Sequence, residues 1–211
     1  MTDRDQRRYF EITAVVLTGI GKFIFMDWLD VKLIFIISAI LSWTVYVLYR
    51  KRQHPDALTY WGFTRKRFYE TFMDLLPYAA ICTTVFFLIG YYTERSILNW
   101  SILPILLLYP VWGVIQQFLV VGLIGKNLND IESFRLPFTV VVLITAVFFG
   151  IVHYPHWLLV LGTFLLAIVY TTLYLNGRNL LVLGIYHGWL GAVFFYTVLG
   201  RDCWEEVFAV F

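Results

Sequence analysis

Seven apolar blocks follow one another along the chain, at about 10–27, 31–49, 72–92, 97–124, 137–154, 157–176 and 179–200. Each is near twenty residues, the length at which an α-helix crosses ~30 Å of hydrocarbon. Polar residues gather between the blocks and do not alternate within them, so a period-two strand pattern is absent. A lipid-exposed strand would also leave backbone groups without partners. The pattern therefore predicts an all-α, polytopic transmembrane helical bundle of about seven spans. Lys22 and Asp27 interrupt the first block, which is the weakest of the seven.

Composition agrees with this pattern. Of 211 residues, 60% are hydrophobic and only 14% charged, where a soluble domain carries roughly a quarter charged. Mean hydropathy is +0.75. The net charge of +2 comes from basic residues at block ends. No basic stripe with interleaved aromatics is present, so nucleic acid is not an expected partner. Cys82 and Cys203 do not form a disulfide framework or a Cys-rich metal motif. The basic start lacks a small-x-small cleavage site, so the first block reads as a retained span.

Charge placement gives an orientation. With seven spans and the amino end in the cytoplasm, twelve basic residues lie inside: Arg4, Arg7, Arg8, Arg50, Lys51, Arg52, Arg65, Lys66, Arg67, Lys126, Arg135 and Arg178. Three lie outside: Lys32, Arg95 and Arg201. That bias follows the positive-inside rule. The carboxyl end then faces outward. An even number of spans would turn it inward with little change in the score. The basic loop at 50–70 reads either as an orientation determinant or as an interfacial segment with Trp61 and Phe63 dipping into lipid.

Polar side chains within apolar blocks are costly, and function is sought there first. The candidates are Gln116 and Gln117 in the fourth block, His153 and His156 at the end of the fifth, and His187 in the seventh. The glutamines read either as hydrogen-bonding glue between helices or as part of a shared polar cavity with the histidines. His156, after Pro155, reads as a loop residue. Asn176 and Asn179 read as turn residues beside Gly177.

The order of these residues resembles the CPBP family, also called the Abi or CAAX-protease-and-bacteriocin-processing family. The family's first motif is EExxxRG, and here QQFLVVG runs from Gln116 to Gly122. The second is FxxxH, matched by Phe149 and His153. The last is HxxxN or HxxxD, matched by His187 with Gly191 in the Asn place. WGFTRKRF at 61–68 is similar to a short segment that often precedes the family's core. The resemblance covers roughly 60–200. It implies a single transmembrane domain over 1–211, with peripheral spans and the basic loop at 1–60, a core at 61–200 and a tail at 201–211. It also implies a glutamic-type intramembrane peptidase, in which a Glu and a His activate water while the other His and an Asn stabilise the oxyanion.

The chain departs from that pattern in a consistent way. Both Glu positions are Gln, the Arg position is Val121 and the Asn position is Gly191. An amide can orient water but cannot take its proton. No Asp or Glu lies between Arg95 and Asn129 or between Leu136 and Arg201. Carboxylates, Arg and Asn have gone together, which reads as divergence, since a buried guanidinium without its counter-charge is destabilising. The expected family positions are Gln116, Gln117, His153 and His187, with Phe149, Trp112 and Gly191 lining a substrate. The role expected is binding of a prenylated or hydrophobic peptide, a lipid or a partner membrane protein. The alternatives are an active peptidase with a His-based or metal-assisted site, and a small transporter. No cofactor and no resident metal is expected. The expected location is the prokaryotic cytoplasmic membrane.

Overall fold

A computed structural model describes residues 2–208. Its helices run α1 Asp3–Gly21, α2 Lys32–Gln53, α3 Ala57–Tyr60, α4 Phe68–Tyr92, α5 Ile102–Gln117, α6 Lys126–Asp130, α7 Phe138–Ile151, α8 Trp157–Leu175, α9 Leu180–Phe194 and α10 Cys203–Phe208. Widened π-helical turns extend α1 over Lys22–Trp28, join α5 to α6 over Phe118–Gly125, and extend α9 over Phe195–Leu199. Six of these helical runs are long and apolar enough to cross a membrane, and α7 is a shorter apolar helix. Each expected apolar block is thus helical. Large apolar side chains such as Leu41, Leu48, Leu107 and Leu161 are exposed on these helices. Water would penalise such faces, and hydrocarbon accommodates them.

The fifth block ends earlier than its composition suggests. At 1.5 Å per residue the 14 residues of α7 reach only about 21 Å. Pro137 stands at its N-cap. Beyond Ile151 the backbone tightens: His153 N–H donates to Gly150 O at 3.0 Å and Tyr154 N–H to Ile151 O at 2.9 Å. The Tyr154–Pro155 bond that follows is cis.

The chain forms two compact units, each discontinuous in sequence. The first comprises Met1–Phe63 and Phe118–Arg178. There α7 packs on α8, and the π turns at Phe118–Gly125 lie against α1, α7 and α8. Trp61 is almost fully buried, edge-on to Phe118, and its carbonyl accepts from Tyr174 Oη at 3.0 Å. It does not dip into lipid, as the interfacial reading of the loop required. Phe63 also packs on Phe118. The reason is local: the short helix α3 turns the loop back, so its aromatic residues are spent on the core.

Polar residues fasten one end of this unit. Glu11 is 2% exposed and accepts from Tyr46 Oη and from Asn127 Nδ2, the latter at 2.6 Å. Arg7 and Arg50 each approach it to 3.9 Å. Asp5 accepts from Arg8 at 2.9 Å and from the backbone N–H groups of Glu132 and Ser133 at 3.1 and 2.9 Å. Buried carboxylates persist only when their lone pairs are occupied in this way. Lys22, odd in sequence, donates to Asp27 at 2.6 Å and to Tyr154 O at 3.0 Å.

The second unit comprises Thr64–Gln117 and Asn179–Phe211. In it α9 packs against both α5 and α4. Asn179 does more than turn the chain. Its Oδ1 accepts from Leu181 N and Val182 N at the start of α9, and its Nδ2 donates to Thr64 O and Lys66 O at 2.7 and 2.8 Å.

Candidate functional site

The contact between α5 and α9 is made backbone to backbone. A Cβ on Gly113 would lie 2.2 Å from Gly184 O, and one on Gly188 would lie 2.4 Å from Tyr109 O. Glycine is therefore required at this crossing, since any side chain would force the helices apart. Gly184 and Gly188 are four residues apart and so share one face of α9. His187 precedes Gly188, and the close approach carries its ring to α5.

There His187 Nε2 meets Gln116 Oε1 at 2.8 Å. An amide oxygen only accepts, so the ring nitrogen donates as Nε2–H. His187 is buried and Gln116 half-buried. Gln117 is fully buried, and neither its Nε2 nor its Oε1 has a hydrogen-bond partner. Leaving a buried amide unsatisfied costs on the order of 1–3 kcal/mol per group, a cost found chiefly where a ligand or water is to be held. Trp112 lies one turn before Gln116 on the same helix face and is half-buried. Gly191 lies beside the ring of Tyr109, whose Cε1 would be 3.5 Å from a Cβ at that position. Val121, in the Arg place, is completely buried.

Phe149 and His153 belong to the first unit. His153 Nδ1 lies 2.7 Å from Phe149 O. A carbonyl cannot donate, so Nδ1 carries the proton, and in its neutral form the ring presents the lone pair of Nε2. The Phe149 ring stands edge-on to the imidazole at 5.0 Å, and Thr163 Oγ1 donates to the same carbonyl at 3.3 Å. His156 is exposed at the N-cap of α8. The structure thus brings Gln116 together with His187, and Phe149 together with His153. Among the described residues no three His, Cys, Asp or Glu side chains gather as metal ligands. Cys82 and Cys203 are free thiols.

Reading the sequence for polar groups passed over the residues that build the pair. Gly113, Gly184 and Gly188 set the helix crossing, and the signal was available as the small-xxx-small spacing of 184 and 188. Glu11 was passed over because it lies far from the motif residues in sequence.

A family model described as type II CAAX prenyl endopeptidase Rce1-like matches residues 98–193. No curated protein and no solved structure matches the chain. The matched stretch runs from just before α5 into α9 and contains Trp112, Gln116, Gln117, Phe149, His153, His187 and Gly191. With its apolar helices, this makes the protein an integral membrane protein. Over residues 98–193, somewhat under half of the chain, the sequence is similar to the Rce1-like, CAAX-endopeptidase branch of the CPBP family.

Proposed function

We propose that this protein binds a prenylated or otherwise hydrophobic peptide at Gln116, Gln117 and His187 and does not hydrolyse it. The observation carrying this reading is the 2.8 Å contact between Gln116 and His187, beside the fully buried and unpartnered amide of Gln117. The arrangement offers N–H donors and carbonyl acceptors to a peptide backbone. It lacks the carboxylate that would accept a proton from water at this place. An amide pair beside a histidine orients a peptide carbonyl, and the reaction stops there. The excess of basic residues in the amino-terminal and even-numbered connecting segments supports a cytoplasmic amino terminus. We place the protein in the prokaryotic cytoplasmic membrane.

The test uses the reconstituted chain and a farnesylated peptide. Saturable binding that Gln117→Leu weakens, with no cleavage, is the expected result. Absence of binding to the unmodified chain would overturn the reading.

One observation favours a second reading. The neutral His153 presents its Nε2 lone pair, as a general base must. A His-based peptidase would then use His153 as its base, and His153→Ala would abolish turnover.

A further inference from the structure

The Asp202 carboxylate accepts five hydrogen bonds, the longest from Glu205 N at 3.3 Å, and ties the carboxyl-terminal segment into the second unit. Its Oδ1 accepts from Tyr196 Oη at 2.5 Å and from Trp204 N at 2.8 Å. Its Oδ2 accepts from Asn99 Nδ2 at 2.8 Å and from Ser101 Oγ at 2.5 Å. One carboxylate thus joins the segment before α5, the end of α9 and the start of α10. The next residue, Cys203, is buried among Ile105, Ala192 and Tyr196. Its Sγ–H donates to Tyr109 Oη at 3.6 Å.

Tyr109 packs its side chain on α9 one turn beyond His187. Its ring stands edge-on to Phe195 at 6.2 Å and lies beside Gly191. Its carbonyl closes on Gly188, the residue after His187. At Gly188 the helix backbone of Tyr109 and Pro110 occupies the space a side chain would take, and at Gly191 the phenol ring stands where a Cβ would touch it at 3.5 Å.

We propose that Tyr109 is a positioning residue for the Gln116–His187 pair, braced by the segment that Asp202 anchors. The proposal rests on reading that pair as the ligand site, but it concerns the geometry of the free protein. Loss of the ring opens space beside Gly191, one turn after His187, so α9 tilts about its backbone contact with α5 and turns His187 away from Gln116. Loss of the brace frees the ring and has the same effect, more weakly.

The experiment reads the pair without ligand. The full chain in nanodiscs, with ¹⁵N-labelled histidine, is compared with Tyr109→Leu, Tyr109→Phe and Asp202→Asn, and the His187 signals are assigned with His187→Gln. In parallel, maleimide labelling of Cys203 is measured against Cys82 as internal reference. Tyr109→Leu is expected to shift the His187 ring nitrogens. Asp202→Asn is expected to shift them in the same direction by less and to label Cys203 about tenfold faster, as local opening made easier by one hydrogen-bonded carboxylate implies. Tyr109→Phe, which keeps the ring, should leave His187 as it is. Unmoved His187 signals in Asp202→Asn despite faster Cys203 labelling would overturn the proposal. So would unchanged Cys203 labelling, or a shift in Tyr109→Phe as large as in Tyr109→Leu. Should Tyr109→Leu not fold, the other two variants decide alone. Failure of the unmodified chain to bind farnesylated peptide would remove the ligand reading and leave these outcomes intact.

Discussion

Replacing Gly188 with alanine should break the Gln116–His187 contact without touching either residue. The added Cβ would lie 2.4 Å from Tyr109 O and 2.5 Å from Pro110 Cα. Carbon atoms rest at about 3.5–4.0 Å, so α5 and α9 must part by roughly 1 Å. The Nε2···Oε1 distance of 2.8 Å then grows past hydrogen-bonding range. Overpacking of this kind costs about 1–3 kcal/mol, and the lost interhelical hydrogen bond adds about 1 kcal/mol. Alanine's better helix propensity returns at most about 1 kcal/mol. The net expectation is a loss of about 1–3 kcal/mol. Equilibrium unfolding in mild detergent, followed by tryptophan fluorescence, measures it. A double-mutant cycle with Gln116→Leu isolates the pair, because Gln116→Leu should cost about 1 kcal/mol less once Gly188→Ala is present. Strict additivity, or a Gly188→Ala protein within about 0.5 kcal/mol of the parent, would refute the argument that the glycine seam sets the pair.

Three further outcomes follow from the same coordinates. Gln117→Leu should stabilise the protein by about 1–3 kcal/mol in the same unfolding assay, because it removes a buried amide that has no partner, while weakening peptide binding. Asn179→Ala should destabilise by about 1–2 kcal/mol, since it removes the cap of α9 together with the bonds to Thr64 and Lys66. Asp202 should make the carboxyl-terminal segment acid-sensitive. Burial opposes its charge, but the donors Ser101, Tyr196 and Asn99 outweigh burial and hold its carboxyl well below the usual range. A depressed folded value means that this stabilisation is complete above the unfolded pKa of about 3.9 and is lost as pH falls through the folded one. Cleavage of the carboxyl-terminal segment by pepsin, which works in acid, should therefore speed up in strong acid in the parent, and Asp202→Asn should remove that pH dependence.

The helices were legible in the sequence because apolar blocks of near-membrane length have few other folds open to them. The early end of α7 was not, since the tight turn at 152–154 is made by local hydrogen bonding that hydropathy does not register. Gln116 and His187 were legible as polar groups in apolar runs, and their order pointed to the family. Their meeting depends on three glycines that carry no polar signal. The burial of Trp61 was not legible, because an aromatic residue in a basic loop has the composition of an interfacial anchor, whereas the fold buries it. Asp202 carries no sequence signal of its role, because two of its donors, Asn99 and Ser101, lie about a hundred residues earlier in the chain.

The central claim is that the amide pair has replaced hydrolysis with binding. The most direct measurement follows a farnesylated peptide incubated with the reconstituted protein and with its Gln116→Glu, Gln117→Glu form, scoring bound and cleaved peptide by mass spectrometry. The account predicts that the unmodified chain binds the peptide and returns it intact, and that any cleavage is confined to the carboxylate form. Cleavage by the unmodified chain that His187→Ala abolishes would contradict it.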